Sequence, residues 1–118
     1  MENNIEKLLE DKFNYLEKIF NITTEQKILI EKKDFNKFLE KDEEKRQLIA
    51  NILELDKLIE PNNLKNKKNS YIIQDKVKKI NFILYKLINI EKEIAENLSK
   101  ENLLLSGKHI EVYKKIIK

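Results

Sequence analysis

Apolar residues recur at spacings of three and four along most of the chain, and no stretch alternates as a half-buried strand would. Ile5, Leu9, Leu16, Ile19 and Ile30 share one helical stripe with Lys12, Thr23 and Gln26, and Phe13 and Phe20 broaden it. This predicts a first helix over about 4–33. The stripe loses phase at Glu31-Lys32-Lys33-Asp34. Asp34 suits a helix N-cap, because its carboxylate can accept from the exposed amides of the following turn. A tight turn and a second helix over 35–60 follow, with Phe35, Phe38, Ile49, Ile52 and Ile59 on its inner stripe and Leu48 and Leu55 beside it. No Gly or Pro marks the turn, so a continuous helix is the alternative. The stretch from Lys41 to Gln47 holds no apolar residue. In an antiparallel hairpin it would face roughly residues 19–26, which also lean polar, so the weak layers of the two helices match in height.

Pro61 closes the second helix, and a basic, polar linker spans 61–69. A third helix is predicted over 70–117. Its stripe is Ile73, Val77, Ile80, Leu84, Leu87, Glu91, Ile94, Leu98, Asn102, Leu105, His109, Val112 and Ile116. The expected architecture is all-α, one domain over 1–118: an antiparallel helical hairpin plus a long C-terminal amphipathic helix, in a coiled-coil-like bundle. At 1.5 Å per residue the first two helices are roughly 40–45 Å long and an unbroken third would reach roughly 70 Å. Its second half must therefore overhang, fold back near Ser106-Gly107, or pack on another chain. That half carries a second apolar stripe, Leu103, Ile110, Tyr113 and Ile117, which the hairpin cannot cover if the helix outruns it. These four residues are the expected partner-binding surface, with Tyr113 as its anchor because aromatics concentrate interface energy. Leu98, Leu105 and Val112 are expected to pack inward. Asn102 bonds across the helix interface or sits in a polar layer.

Composition narrows the function classes. The chain has 118 residues, with one Gly, one Pro, no Cys and one His. That excludes disulfides, thiolate metal sites and a Gly-rich phosphate loop, and it leaves almost nothing for a His-based metal cluster or triad. No catalytic residue, cofactor or metal is assigned, no small-molecule substrate is indicated, and the protein is expected not to be an enzyme. His109 reads as structural, and the carboxylates of Asp42-Glu43-Glu44 as a solvated face. No apolar run is long enough to span a membrane and no leader is apparent, so a cytoplasmic location is expected. Charge is uneven: residues 1–60 carry net −4, residues 61–82 carry +5 and residues 83–118 carry +2. Lys65, Lys67, Lys68, Lys76, Lys78 and Lys79 make the basic cluster. With one Arg and a net charge of +3, it reads as a solubilising linker before a nucleic-acid site.

The stretch ITTEQKILIEKKDFNKFLEKDEEKRQLIANILELDKLI, residues 22–59, resembles the first helical pair of the FlgN/FliT-like flagellar export chaperones. The shared elements are Gln26, the apolar cluster Ile28 to Ile30, the turn Asp34, Lys45-Arg46-Gln47, and the apolar close from Leu48 to Ile59. A second likeness lies in ENLLLSGKHIEVYKKII, residues 101–117, with Asn102 followed by Leu105. Lys33 stands where the family often has Gly, and Ser106 where it more often has an apolar residue. The resemblance implies a non-enzymatic chaperone of type III export. It would hold the terminal helices of hook-associated or filament-cap subunits and help deliver them to the export apparatus. The rival reading is a scaffolding coiled coil that self-associates, as a homodimer for example, through the C-terminal helix.

Overall fold

The computed structural model describes residues 2–59, 71–100 and 108–117, with side chains for 5–59, 71–99 and 110–117. All the regular structure among these residues is helical. The helices are α1 (Glu2–Glu31), α2 (Phe35–Ile59), α3 (Tyr71–Lys100) and α4 (Lys108–Ile116). They fill an envelope of 48 × 20 × 18 Å. A 30-residue helix is about 45 Å long, so α1 and α3 each run its full length.

The turn at 32–34 ends one helix and starts the next. The Lys33 amide donates to Ile30 O at 2.9 Å and the Asp34 amide to Leu29 O at 2.9 Å, the paired bonds of a Schellman close. That close requires a left-handed residue, and Lys33 takes it, with φ of 60°. One residue on, Asp34 Oδ1 accepts from the Lys37 amide at 3.2 Å and caps α2, as its position in the sequence predicts. Lys33 therefore occupies the place where Gly would fit without a Cβ penalty.

The stripes read from the sequence are the buried faces. On α1, every member from Ile5 to Ile30 is buried, including Lys12, Thr23 and Gln26. On α2, Phe38, Ile49, Ile52 and Ile59 are buried, and on α3, Ile73, Ile80, Leu84, Leu87, Glu91, Ile94 and Leu98. The apolar side chains separate into two clusters. The larger holds Leu16, Ile19, Ile49, Ile52, Leu84 and Leu87; the smaller, nearer the turn, holds Ile30, Phe38, Ile94 and Leu98. Cross-contacts at both ends show that α3 runs parallel to α1 and antiparallel to α2.

The C-terminal region departs from the expectation of one helix over 70–117. α3 extends to Lys100, and the separate nine-residue α4 runs back along it. The decisive contact is a 3.0 Å hydrogen bond from the Tyr113 hydroxyl to Glu91 Oε2. In an unbroken helix those residues would stand roughly 33 Å apart along the axis. Folding back lets Tyr113 and Ile116 enter the larger apolar cluster, with Ile110, Val112 and Ile117 packed against it. Burial of this apolar surface, at about 25 cal/mol per Å², favours the return over an overhanging helix.

Two substitutions test the turn. Asp34→Ala should lower unfolding free energy by about 1 kcal/mol through the lost cap. Lys33→Gly should raise it by up to about 1 kcal/mol through relief of the left-handed backbone. Urea denaturation followed by circular dichroism measures both.

Candidate functional site

A polar layer separates the two apolar clusters. Its centre is the Lys45 ammonium, which is 1% exposed. Lys45 Nζ donates to both oxygens of Glu91, at 3.2 and 3.0 Å, and to Gln26 Oε1 at 2.6 Å. The Gln26 amide nitrogen donates to Phe38 O at 3.1 Å and lies 3.5 Å from Asp42 Oδ1. Tyr113 adds its hydroxyl to Glu91, and Thr23 bonds back to Ile19 O at 2.7 Å. Burial pushes the Lys45 ammonium below its ordinary pKa, while the negative charges of Glu91 and Asp42 oppose that shift. Burial pushes the Tyr113 hydroxyl up, and the charge of Glu91 and the bond to it push it further.

A shifted lysine and a shifted tyrosine meeting on one buried carboxylate are the material of an active site. Here they are sealed. Tyr113 is 0% and Glu91 7% exposed, and no buried side-chain nitrogen or oxygen among the described residues lacks a hydrogen-bond partner. Among the described residues the layer is satisfied internally. The described residues hold no group of three or more His, Cys, Asp or Glu side chains that could bind a metal ion.

The accessible feature lies on the outside, where α1 and α3 run side by side. A trough between them has two lobes that meet at Phe13 and Lys79. The upper lobe is lined by Phe13, Glu17, Lys18, Phe20, Lys79, Phe82, Ile83 and Lys86, together with Asn14 and Asn21. The lower lobe is lined by Leu9, Glu10, Phe13, Tyr71, Ile72, Asp75, Lys76 and Lys79. Large apolar side chains stand open along its α3 rim: Tyr71 is 83%, Phe82 66% and Ile72 52% exposed. The Lys86 ammonium lies 4.7 Å from the Phe20 ring centre and 5.4 Å from that of Phe82. The Lys86 charge thus stands over the rings that floor and rim the upper lobe.

Of the residues expected at the partner surface, Ile110, Tyr113 and Ile117 have described side chains. Tyr113 is fully buried against Glu91, so its assignment as an outward anchor is corrected: the return of α4 turns it into the core. Ile110 and Ile117 are half-buried against the larger apolar cluster. Leu103 and Asn102 lie outside the described residues, as do Leu105 and the linker lysines Lys65, Lys67 and Lys68; the His109 side chain does too. Phe82, Tyr71 and Ile72 are not on any stripe the sequence reading used. The signal that finds them is the residue of large apolar side chains left on 71–86 once the inner stripe of α3 is assigned.

The chain matches no protein-family model, no curated protein and no solved structure. No helix among the described residues is long and apolar enough to cross a membrane.

The polar layer generates two expectations. Lys45→Met should destabilise by about 3–5 kcal/mol, because it strands the Glu91 carboxylate, whereas Lys45→Met with Glu91→Met should recover most of the loss. Tyr113→Phe should cost about 1–2 kcal/mol at neutral pH. The native Tyr113 keeps a proton that the unfolded chain releases near its ordinary pKa of 10.0. That share of stability is complete below this pH and is lost as pH rises past it. The stability gap between wild type and Tyr113→Phe should therefore narrow above pH 10, read from denaturation midpoints across an alkaline series.

Proposed function

We propose that this protein is a non-enzymatic, helix-binding chaperone of the flagellar export kind, and that it holds the client helix in the trough between α1 and α3. The observation that carries the reading is the line of exposed Tyr71, Ile72 and Phe82 above the aromatic floor of Phe13 and Phe20. Large side chains left open along a helix–helix trough match the needs of helix-in-groove recognition, where an amphipathic helix lays its apolar face between two others. The likeness of residues 22–59 and 101–117 to FlgN/FliT-like chaperones supplies the client class: terminal helices of hook-associated or filament-cap subunits, delivered to the export apparatus. The left-handed Lys33 and the Asp34 cap fall at the turn positions of that likeness, which supports the reading.

The same strip could instead pair with a second copy of the chain, the scaffolding reading, and the two differ in what they bind. The full chain is titrated with synthetic terminal-helix peptides of hook-associated and cap subunits, and its own mass is followed by light scattering. Saturable binding by one peptide is expected, with Phe82→Asp weakening it at least about tenfold while leaving helicity and melting temperature unchanged. Leu84→Asp should unfold the protein, since Leu84 is 0% exposed. No binding by any peptide, or binding indifferent to Phe82→Asp, removes this function from the trough. Loss of a homodimer on Phe82→Asp would install the scaffolding reading in its place.

A further inference from the structure

Resting on that reading of the trough, we infer that its occupant is an acidic amphipathic helix, with carboxylates flanking two apolar anchors about two turns apart. The spacing comes from the lobes. Phe13 belongs to both lobes and Phe20 to the upper one. Seven residues of α1 separate them, a rise of about 10.5 Å, which equals the i to i+7 separation on a partner helix. One anchor fits between Phe13 and Ile72, the other between Phe20 and Phe82.

The charge preference comes from the lysines. Among the described residues lining the upper lobe, three are lysines (Lys18, Lys79 and Lys86) and one, Glu17, is acidic. Asp75 and Lys79 offset each other in a 3.3 Å ion pair, which leaves Lys18 and Lys86 against Glu17 in the upper lobe. Lys86 is held over two phenyl rings, so its ammonium stands at the edge of an apolar floor. A carboxylate arriving there is less screened than at an open surface. A basic helix would meet like charge at the same place, and a mismatch of that kind suppresses wrong partners more strongly than a match raises affinity. Nucleic acid fits less well. A phosphate backbone carries charge at every unit and would meet Glu10, Glu17 and Asp75 as well as the lysines, whereas a helix can place its carboxylates opposite Lys18 and Lys86 alone; no arginine lines the trough.

Three labelled peptides of about 18 residues, identical in their leucine anchors and carrying Glu, Gln or Lys at the flanking positions, are titrated against the full chain by fluorescence anisotropy. The Glu peptide should bind about tenfold or more tighter than the Gln peptide, and the Lys peptide weakest, with the spread shrinking between ~50 and ~300 mM salt. The double variant Lys18→Glu with Lys86→Glu should reverse the order of the Glu and Lys peptides while the circular dichroism spectrum stays helical. If the Gln peptide binds and the Glu peptide is no tighter, the acidic preference is overturned while helix binding stands. If none of the three binds, helix capture in the trough fails and the preference with it. A single-stranded oligonucleotide that binds more tightly than the Glu peptide at about 150 mM salt would overturn the inference in favour of a nucleic-acid surface.

Discussion

One buried cation sets the register of the bundle. Leucine and isoleucine attract without direction, so the apolar clusters above and below the polar layer would tolerate a slip of one helix past another. The Lys45 ammonium would not. It needs the Glu91 carboxylate from α3 and the Gln26 carbonyl oxygen from α1, and a one-turn slip of about 5.4 Å leaves it dry and without either. Burying charge of both signs costs desolvation that mutual attraction offsets only when every remaining donor and acceptor is also met. Tyr113 and the Phe38 carbonyl meet that demand. The polar layer thus trades stability for a single alignment of α1, α2 and α3.

A second clasp works at the other end. Lys12 Nζ donates to Asp56 Oδ1 at 2.8 Å and to Ile116 O at 3.3 Å, which places a cation at the carbonyl end of α4, the end that a helix dipole makes negative. Lys45, bound to both Gln26 and Glu91, and the apolar cluster they share hold α1 and α3 side by side, with the surface pair of Lys27 and Glu93 adding little. The trough is a by-product of that fixing. Its two walls cannot slide, so Phe13, Phe20, Ile72 and Phe82 keep their spacing before any partner arrives, and less ordering is required on binding.

Most of the helical framework was legible because its code is local. Period-3.6 spacing identified the buried faces of α1, α2 and α3, and Asp34 marked the turn. Even the polar layer was half visible: Thr23, Gln26 and Glu91 stood on apolar stripes, and the Lys41–Gln47 gap fell at the height of Gln26. What the stripes could not say is that Lys45 would reach into the gap, since a lysine within KDEEKRQ looks like its solvated neighbours. The return of α4 was one of three outcomes left open by length alone, and the choice depends on a bond between residues 22 apart in sequence. The trough was missed because attention went to the densest apolar surplus, at 103–117. Its described members, Ile110, Tyr113, Ile116 and Ile117, pack into or against the core through α4, while the smaller surplus at 71, 72 and 82 stays outside.

The link between Lys12 and Ile116 joins positions 104 residues apart, and α4 has only nine residues, too few for an isolated helix to hold its shape in water. During synthesis the chain therefore presents α1, α2 and α3 before the segment that completes them exists. Over that interval Glu91 lacks its tyrosine, Lys12 lacks its carbonyl, and the site later filled by Tyr113 is open. α4 thus closes the structure by docking into a seat that the other three helices form.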